Sequence, residues 1–141
     1  MSMKITTGQL LEELKNTSDL QAFFERHEKD FSKQTSAEYL NDLLAIKQIS
    51  VAKVVKKSGA GEYLYKIFGG ERKASRDVLI AMAFGMGLSL EETQLLLRIS
   101  KIAVLDVRDK RDGVIIYGIS HGWTVFETDD ALDRENLTTI L

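Results

Sequence analysis

The stretch Ser50-Val-Ala-Lys-Val-Val-Lys-Lys-Ser-Gly-Ala-Gly-Glu-Tyr-Leu-Tyr-Lys-Ile-Phe68 decides the fold. Its first half has the apolar spacing of a helix of barely two turns, opened by Ser50 and halted at Gly59-Ala60-Gly61. Glu62 then starts a second short helix at once, with Leu64, Ile67 and Phe68 sharing one face by three-four spacing. Two short helices therefore meet at a tight glycine turn.

Outward from this centre the same reading repeats. Downstream, Gly69-Gly-Glu-Arg-Lys-Ala74 is a polar loop. Ser75 caps an apolar helix (Val78, Leu79, Ala81, Met82, Phe84) ended by Gly85 and Gly87, and Ser89 with Glu92 forms a capping box before Leu90 to Ile99. Arg111 to Gly122 and Thr124 to Asp133 are two further helices. Upstream, Ser36 opens a helix carrying Tyr39, Leu40, Leu43, Leu44 and Ile46. Before it, Ser18 with Gln21 heads a helix through Leu20, Phe23 and Phe24 to near Phe31, and Thr7 caps a short amphipathic helix with Leu10, Leu11 and Leu14. The expectation is an all-α chain of roughly seven or eight helices. Its domain plan is an N-terminal helical extension over 1–35, a central domain over 36–101, and a C-terminal helical extension over 102–141 packed on the core.

Composition narrows the function. With no cysteine in 141 residues, a disulfide framework, a thiolate zinc site and a cysteine nucleophile are all excluded. The two histidines have no ligand-like spacing: His27 lies in a charged surface run, and His121 sits at a helix end. Asp106, Asp109 and Asp112 recur every three residues but lack the glycine and terminal glutamate of a calcium loop, and Asp112 reads instead as helping the start of the following helix. No phosphate loop or dinucleotide fingerprint is present. Neither metal, cofactor nor catalytic activity is expected. The N-terminus lacks a basic-then-apolar signal, and long uncharged runs such as Val78 to Leu90 are shorter than the ~18 residues a membrane span needs. A soluble, cytoplasmic protein with no membrane partner is the expectation.

Charge is segregated behind a net value of −2. Residues 47–76 hold eight basic against two acidic side chains, whereas residues 102–141 hold four against eight. A local excess of +6 on the two-helix stretch suggests a polyanionic partner. Charge excess and a helix-turn-helix pattern, whose second helix can enter a DNA major groove, coincide on the same residues.

At these residues the sequence resembles a known family. Leu40, Leu43, Leu44, Val54, Val55, Gly59, Leu64, Ile67, the Gly70-Glu-Arg-Lys loop and Ser75-Arg-Asp look like the five-helix DNA-binding domain of phage repressor and Cro proteins, the XRE-like class. The "IFGGERKASRD", "LSLEETQLLLRIS" and "KRDGVIIYGIS" stretches extend the likeness to a bacterial subgroup with extra N- and C-terminal helices. Two departures stand out: the turn after Gly59 is about one residue shorter than the family's usual spacing, and Ala74 replaces a common proline.

The resemblance implies a five-helix repressor-type helix-turn-helix domain with flanking helices, and a transcriptional regulator binding double-stranded DNA sequence-specifically. The start of its recognition helix would reach base edges: Gly61, Glu62, Tyr63, Tyr65 and Lys66. Glu62 can accept from a cytosine amino group and Lys66 can donate to guanine or a phosphate, although the two also fit an exposed i,i+4 ion pair, and Tyr63 serves equally as a core or rim aromatic. Phosphate contacts would come from Lys53, Lys56, Lys57, Arg72, Lys73, Ser75 and Arg76, with an Arg76–Asp77 ion pair the structural alternative. A homodimer through the C-terminal helices is expected, its seam Ile115, Ile116, Ile119, Trp123 and Phe126. The same stripe serves equally as an intramolecular lid, and Leu10, Leu11, Leu14, Phe23 and Phe24 form the competing seam. The rival function is a helical protein-interaction adaptor of the same fold. Operator and effector are not written in the sequence.

Overall fold

The computed structural model describes residues 6–27 and 34–141, in which every regular element is a helix: nine helices and no strand. The chain forms two compact units, Met1–Lys33 and Gln34–Leu141.

In the first unit, α1 (Thr7–Asn16) starts at a capping box in which Thr6 and Gln9 bond each other's backbone N–H. The cap is Thr6 rather than Thr7. Asp19, not Ser18, caps α2 (Leu20–Arg26) by accepting from Ala22 N–H, and Gln21 bonds Glu25 instead of closing a box. Glu13 gathers both Arg26, at 2.7 Å, and His27, at 2.6 Å. His27 is thus buried, with its ring 4.9 Å from that of Phe23, rather than on a charged surface. Phe31, expected on the apolar side of α2, lies outside the described residues.

The second unit runs α3 (Ser36–Lys47), α4 (Val51–Ser58), α5 (Leu64–Phe68), α6 (Arg76–Met86), α7 (Leu90–Ile99), α8 (Lys110–Ser120) and α9 (Val125–Arg134). Six of the seven begin at a polar side chain that takes an otherwise unpaired backbone N–H: Thr35, Ser50, Ser75, Ser89, Asp109 and Thr124. Ser36, read as the start of α3, is therefore its first residue and Thr35 its cap. Ser89–Glu92 closes the expected box, and Thr124–Glu127 closes another.

Helix α6 is the centre. Leu79, Ile80, Ala81, Met82, Ala83 and Met86 are all buried in a cluster with Leu40 and Leu43 of α3, Val54 of α4, Leu64 and Ile67 of α5, and Leu96 and Leu97 of α7. Ile115, Val125, Leu132 and Ile140 join it from the C-terminal third. Helix α6 ends at Gly87, not Gly85. Gly85 lies inside the helix where α4 crosses, and a Cβ there would stand 3.0 Å from Val54 O and from Ser58 Cβ. Helices α4 and α6 can approach this closely only because that side chain is missing.

Candidate nucleic-acid interface

Helix α4 buries Val54 and Ser58 against α6, which by helical spacing turns Lys53, Lys56 and Lys57 outward together. Its last turn ends at Gly59, at φ 67°. Ser58 Oγ accepts from Ala60 N–H at 3.2 Å and steadies the turn. No side chain caps α5. Instead Leu64, Tyr65 and Lys66 N–H donate to the carbonyls of Gly61, Glu62 and Tyr63, a 3₁₀ turn that carries the chain from Gly61 into α5 in few residues. Regular helix consequently begins at Leu64 rather than Glu62.

Leu64, Ile67 and Phe68 anchor α5 in the core. Asn41 of α3 donates to Phe68 O at 2.7 Å and so receives one of the free carbonyls at the helix end. Glu62, Tyr63, Tyr65 and Lys66 all remain outside, Tyr63 at 40% and Tyr65 at 52% exposure. Tyr63 is thus not a core aromatic, and partial burial pushes its hydroxyl pKa up. The 69–73 loop folds back on the same end of α5, with Glu71 and Arg72 N–H donating to Lys66 O at 2.9 and 3.3 Å. Arg72 and Lys73 are thereby carried, exposed, beside the end of α5. Among the described residues, none of Lys53, Lys56, Lys57, Lys66, Arg72 or Lys73 has an acidic group within ion-pair distance, and the expected Glu62–Lys66 pair is not formed.

Arg76 is different. Its guanidinium grips both carboxylate oxygens of Asp112, at 3.1 and 2.8 Å, and donates to Ala103 O and Val104 O. Four of its five N–H groups are committed inside the molecule, so it joins the 101–109 connection to α6 rather than the cationic set. Asp77, its chain neighbour, is not the partner: it pairs with Arg111 at 3.1 Å. Two Arg-Asp dipeptides thus pair crosswise, α6 to α8. Adjacent residues on a helix do not face each other, a rule that already disfavours an Arg76–Asp77 pair. Asp112 is buried, which alone would raise its pKa. Hydrogen bonds from Arg76 and Asp106 N–H, together with the Arg76 and Arg111 charges, outweigh this and hold the carboxyl below the usual aspartate range. Asp109, meanwhile, is the cap of α8. Ser75 Oγ accepts from Val78 N–H, so this hydroxyl serves α6.

No known family, curated protein or solved structure matches the chain. Its own residues carry the reading. No group of three or more metal-ligating side chains occurs among the described residues, nor any helix long and apolar enough to cross a membrane. His121 is exposed, its ring stacked on Tyr117 at 3.8 Å. Of the stripe expected at a dimer seam, Ile115 is fully buried, Ile116, Ile119 and Trp123 are half-buried, and Phe126 is half exposed.

Proposed function

We propose that α3 to α7 form a repressor-type helix-turn-helix domain that binds double-stranded DNA sequence-specifically, as a non-enzymatic transcriptional regulator in a bacterial-type cytoplasm. The observation that carries this reading is the two-sided α5. Leu64, Ile67 and Phe68 fix it to the core, while Glu62, Tyr63, Tyr65 and Lys66 are left outside next to unpaired cations on α4 and on the 69–73 loop. A short helix held this way can enter a major groove without unfolding anything, and the cations beside it can neutralise phosphates on either side. Glu62 and Lys66 would read base edges and the two tyrosines would pack on bases or sugars, while Lys53, Lys56, Lys57, Arg72 and Lys73 would meet the backbone. A second copy belongs to this reading, because one such helix spans only a few base pairs.

Titration of the full chain against random-sequence duplexes at several salt concentrations tests it. Five phosphate contacts give affinity falling with about the fourth to fifth power of salt, and selection from random duplexes then returns a defined site. Absence of salt-dependent duplex binding refutes the proposal and leaves the protein-interaction adaptor in its place.

A further inference from the structure

Lys56 and Lys57, exposed on α4, also lie beside the C-terminal third. Both border a cleft of about 450 Å³ whose remaining walls include Phe84 of α6, Ile119 of α8, Trp123, and Phe126 in the first turn of α9. None of the residues lining it is acidic, although residues 102–141 carry eight carboxylates against four basic groups. Three larger clefts differ in this respect. One includes Asp109 and Glu135, the latter already paired with Lys110. Another holds Asp106, Asp109 and Asp112, and the third holds Glu38 and Asp42. Here alone among the four do cations without an ion-pair partner meet an aromatic wall with no carboxylate to balance them.

We propose that this cleft binds a small amphiphilic carboxylate. Its alkyl or aryl body lies against Phe84, Ile119, Trp123 and Phe126, and its headgroup lies between the Lys56 and Lys57 ammonium groups. The volume is at the low end of the ~300–1,000 Å³ of small-molecule sites, which suits a medium-chain or bicyclic acid rather than a nucleotide. A consequence follows that rests on the DNA-binding reading. Lysines whose ammonium groups are both drawn onto a headgroup in the cleft are withdrawn from the phosphate contacts assigned to them. Phe126 also abuts the turn between α4 and α5: a Cβ placed on Gly59 would lie 3.1 Å from its ring. An occupied cleft therefore competes with DNA.

Trp123 is the only tryptophan, so the site carries its own reporter. The probe is 8-anilinonaphthalene-1-sulfonate, whose absorption overlaps tryptophan emission, with decanoate and 1-decanol as competitors. The folded parent should give saturable one-site energy transfer from Trp123, reversed by decanoate at a concentration at least tenfold below that of decanol. In Lys56→Gln/Lys57→Gln the dissociation constants of both anions should rise about tenfold with an unchanged unfolding midpoint. No saturable transfer, equal potency of decanol, or unchanged anion affinity in the double variant overturns the site. These measurements need no DNA. In a separate titration, loss of duplex affinity on adding decanoate supports competition, and undiminished affinity at saturating decanoate overturns it. A parent that binds the probe but no duplex refutes the DNA-binding reading and the competition, while the cleft stands.

Discussion

Gly85 and Asp112 each carry a constraint that a single substitution exposes. Gly85 has ordinary helical geometry, so alanine should favour the helix by about 1 kcal/mol. Yet its Cβ would meet Val54 O and Ser58 N, backbone atoms of α4 that yield only if the helices separate. Overpacking of this kind costs about 1–3 kcal/mol, and against the ~1 kcal/mol helix gain Gly85→Ala is expected to lose up to about 2 kcal/mol net in urea unfolding. A net gain of about 1 kcal/mol, the full helix preference of alanine, would mean that α4 does not lie this close. At Asp112 the constraint is charge. Asp112→Asn leaves the Arg76 guanidinium without its anion. A fully buried pair broken this way costs about 3–5 kcal/mol; with Arg76 a quarter exposed, about 2–3 kcal/mol is expected at neutral pH. Because the folded carboxyl titrates below its unfolded value, its stabilisation is complete above about pH 4 and is lost as pH falls through the depressed pKa. Parent and variant should therefore differ most at neutral pH and converge in acid. A constant difference across that range would show that shape, not charge, matters at Asp112.

Each helical element can be judged by whether its signals are local. Helices were legible wherever a capping side chain preceded three-four apolar spacing. The caps slipped by one residue where two cap-capable residues adjoin, at Thr6-Thr7, Ser18-Asp19 and Thr35-Ser36, because local propensity ranks such neighbours almost equally. Gly85 misled for a related reason: a glycine that permits a close crossing looks, in sequence, like one that ends a helix. Of the candidate site, exposure of the α5 residues followed from periodicity, but the removal of Arg76 did not, since its partner stands 36 positions away. On the DNA-binding reading, α4 and the 69–73 loop position the protein while α5 selects the site. Replacing Lys56, Lys57 and Arg72 by Ala should weaken binding to every duplex alike and reduce the salt slope by about three. Glu62→Ala and Lys66→Ala should change the preferred sequence, each discriminating by about 1–3 kcal/mol per lost base contact, with generic affinity nearly kept. An unchanged site in both single variants would move the readout to Tyr63 and Tyr65.

For the unit Gln34–Leu141 as a whole, the C-terminal third is part of the core. Ile115, Val125, Leu132 and Ile140 are buried in the same cluster as α6, and Asp112 holds Arg76. The last residues are fastened as well. Asp129 accepts from Ile140 and Leu141 N–H at 2.6 and 3.0 Å, Arg111 donates to Thr138 O and Thr139 O, and Leu141 reaches the Gly59 turn. Truncation after Lys110 removes all of this. Losing a buried aliphatic side chain even down to alanine costs about 2–5 kcal/mol, so four such losses together are comparable to the whole ~5–15 kcal/mol that holds a domain of this size, before the lost Arg76–Asp112 pair is added. The truncated chain should show no cooperative unfolding transition and no dispersed amide spectrum. A folded monomer released from a dimeric parent would instead make α8 and α9 a detachable dimer seam. Sedimentation of the full chain, alone and on a selected duplex, separates the two roles. Since Ile115 is committed to the core, any seam must use what stays outside, such as Tyr117 and Phe126. Substituting these two by Ser should then abolish dimerisation while leaving the monomer folded, whereas substituting Ile115 by Ser should unfold it.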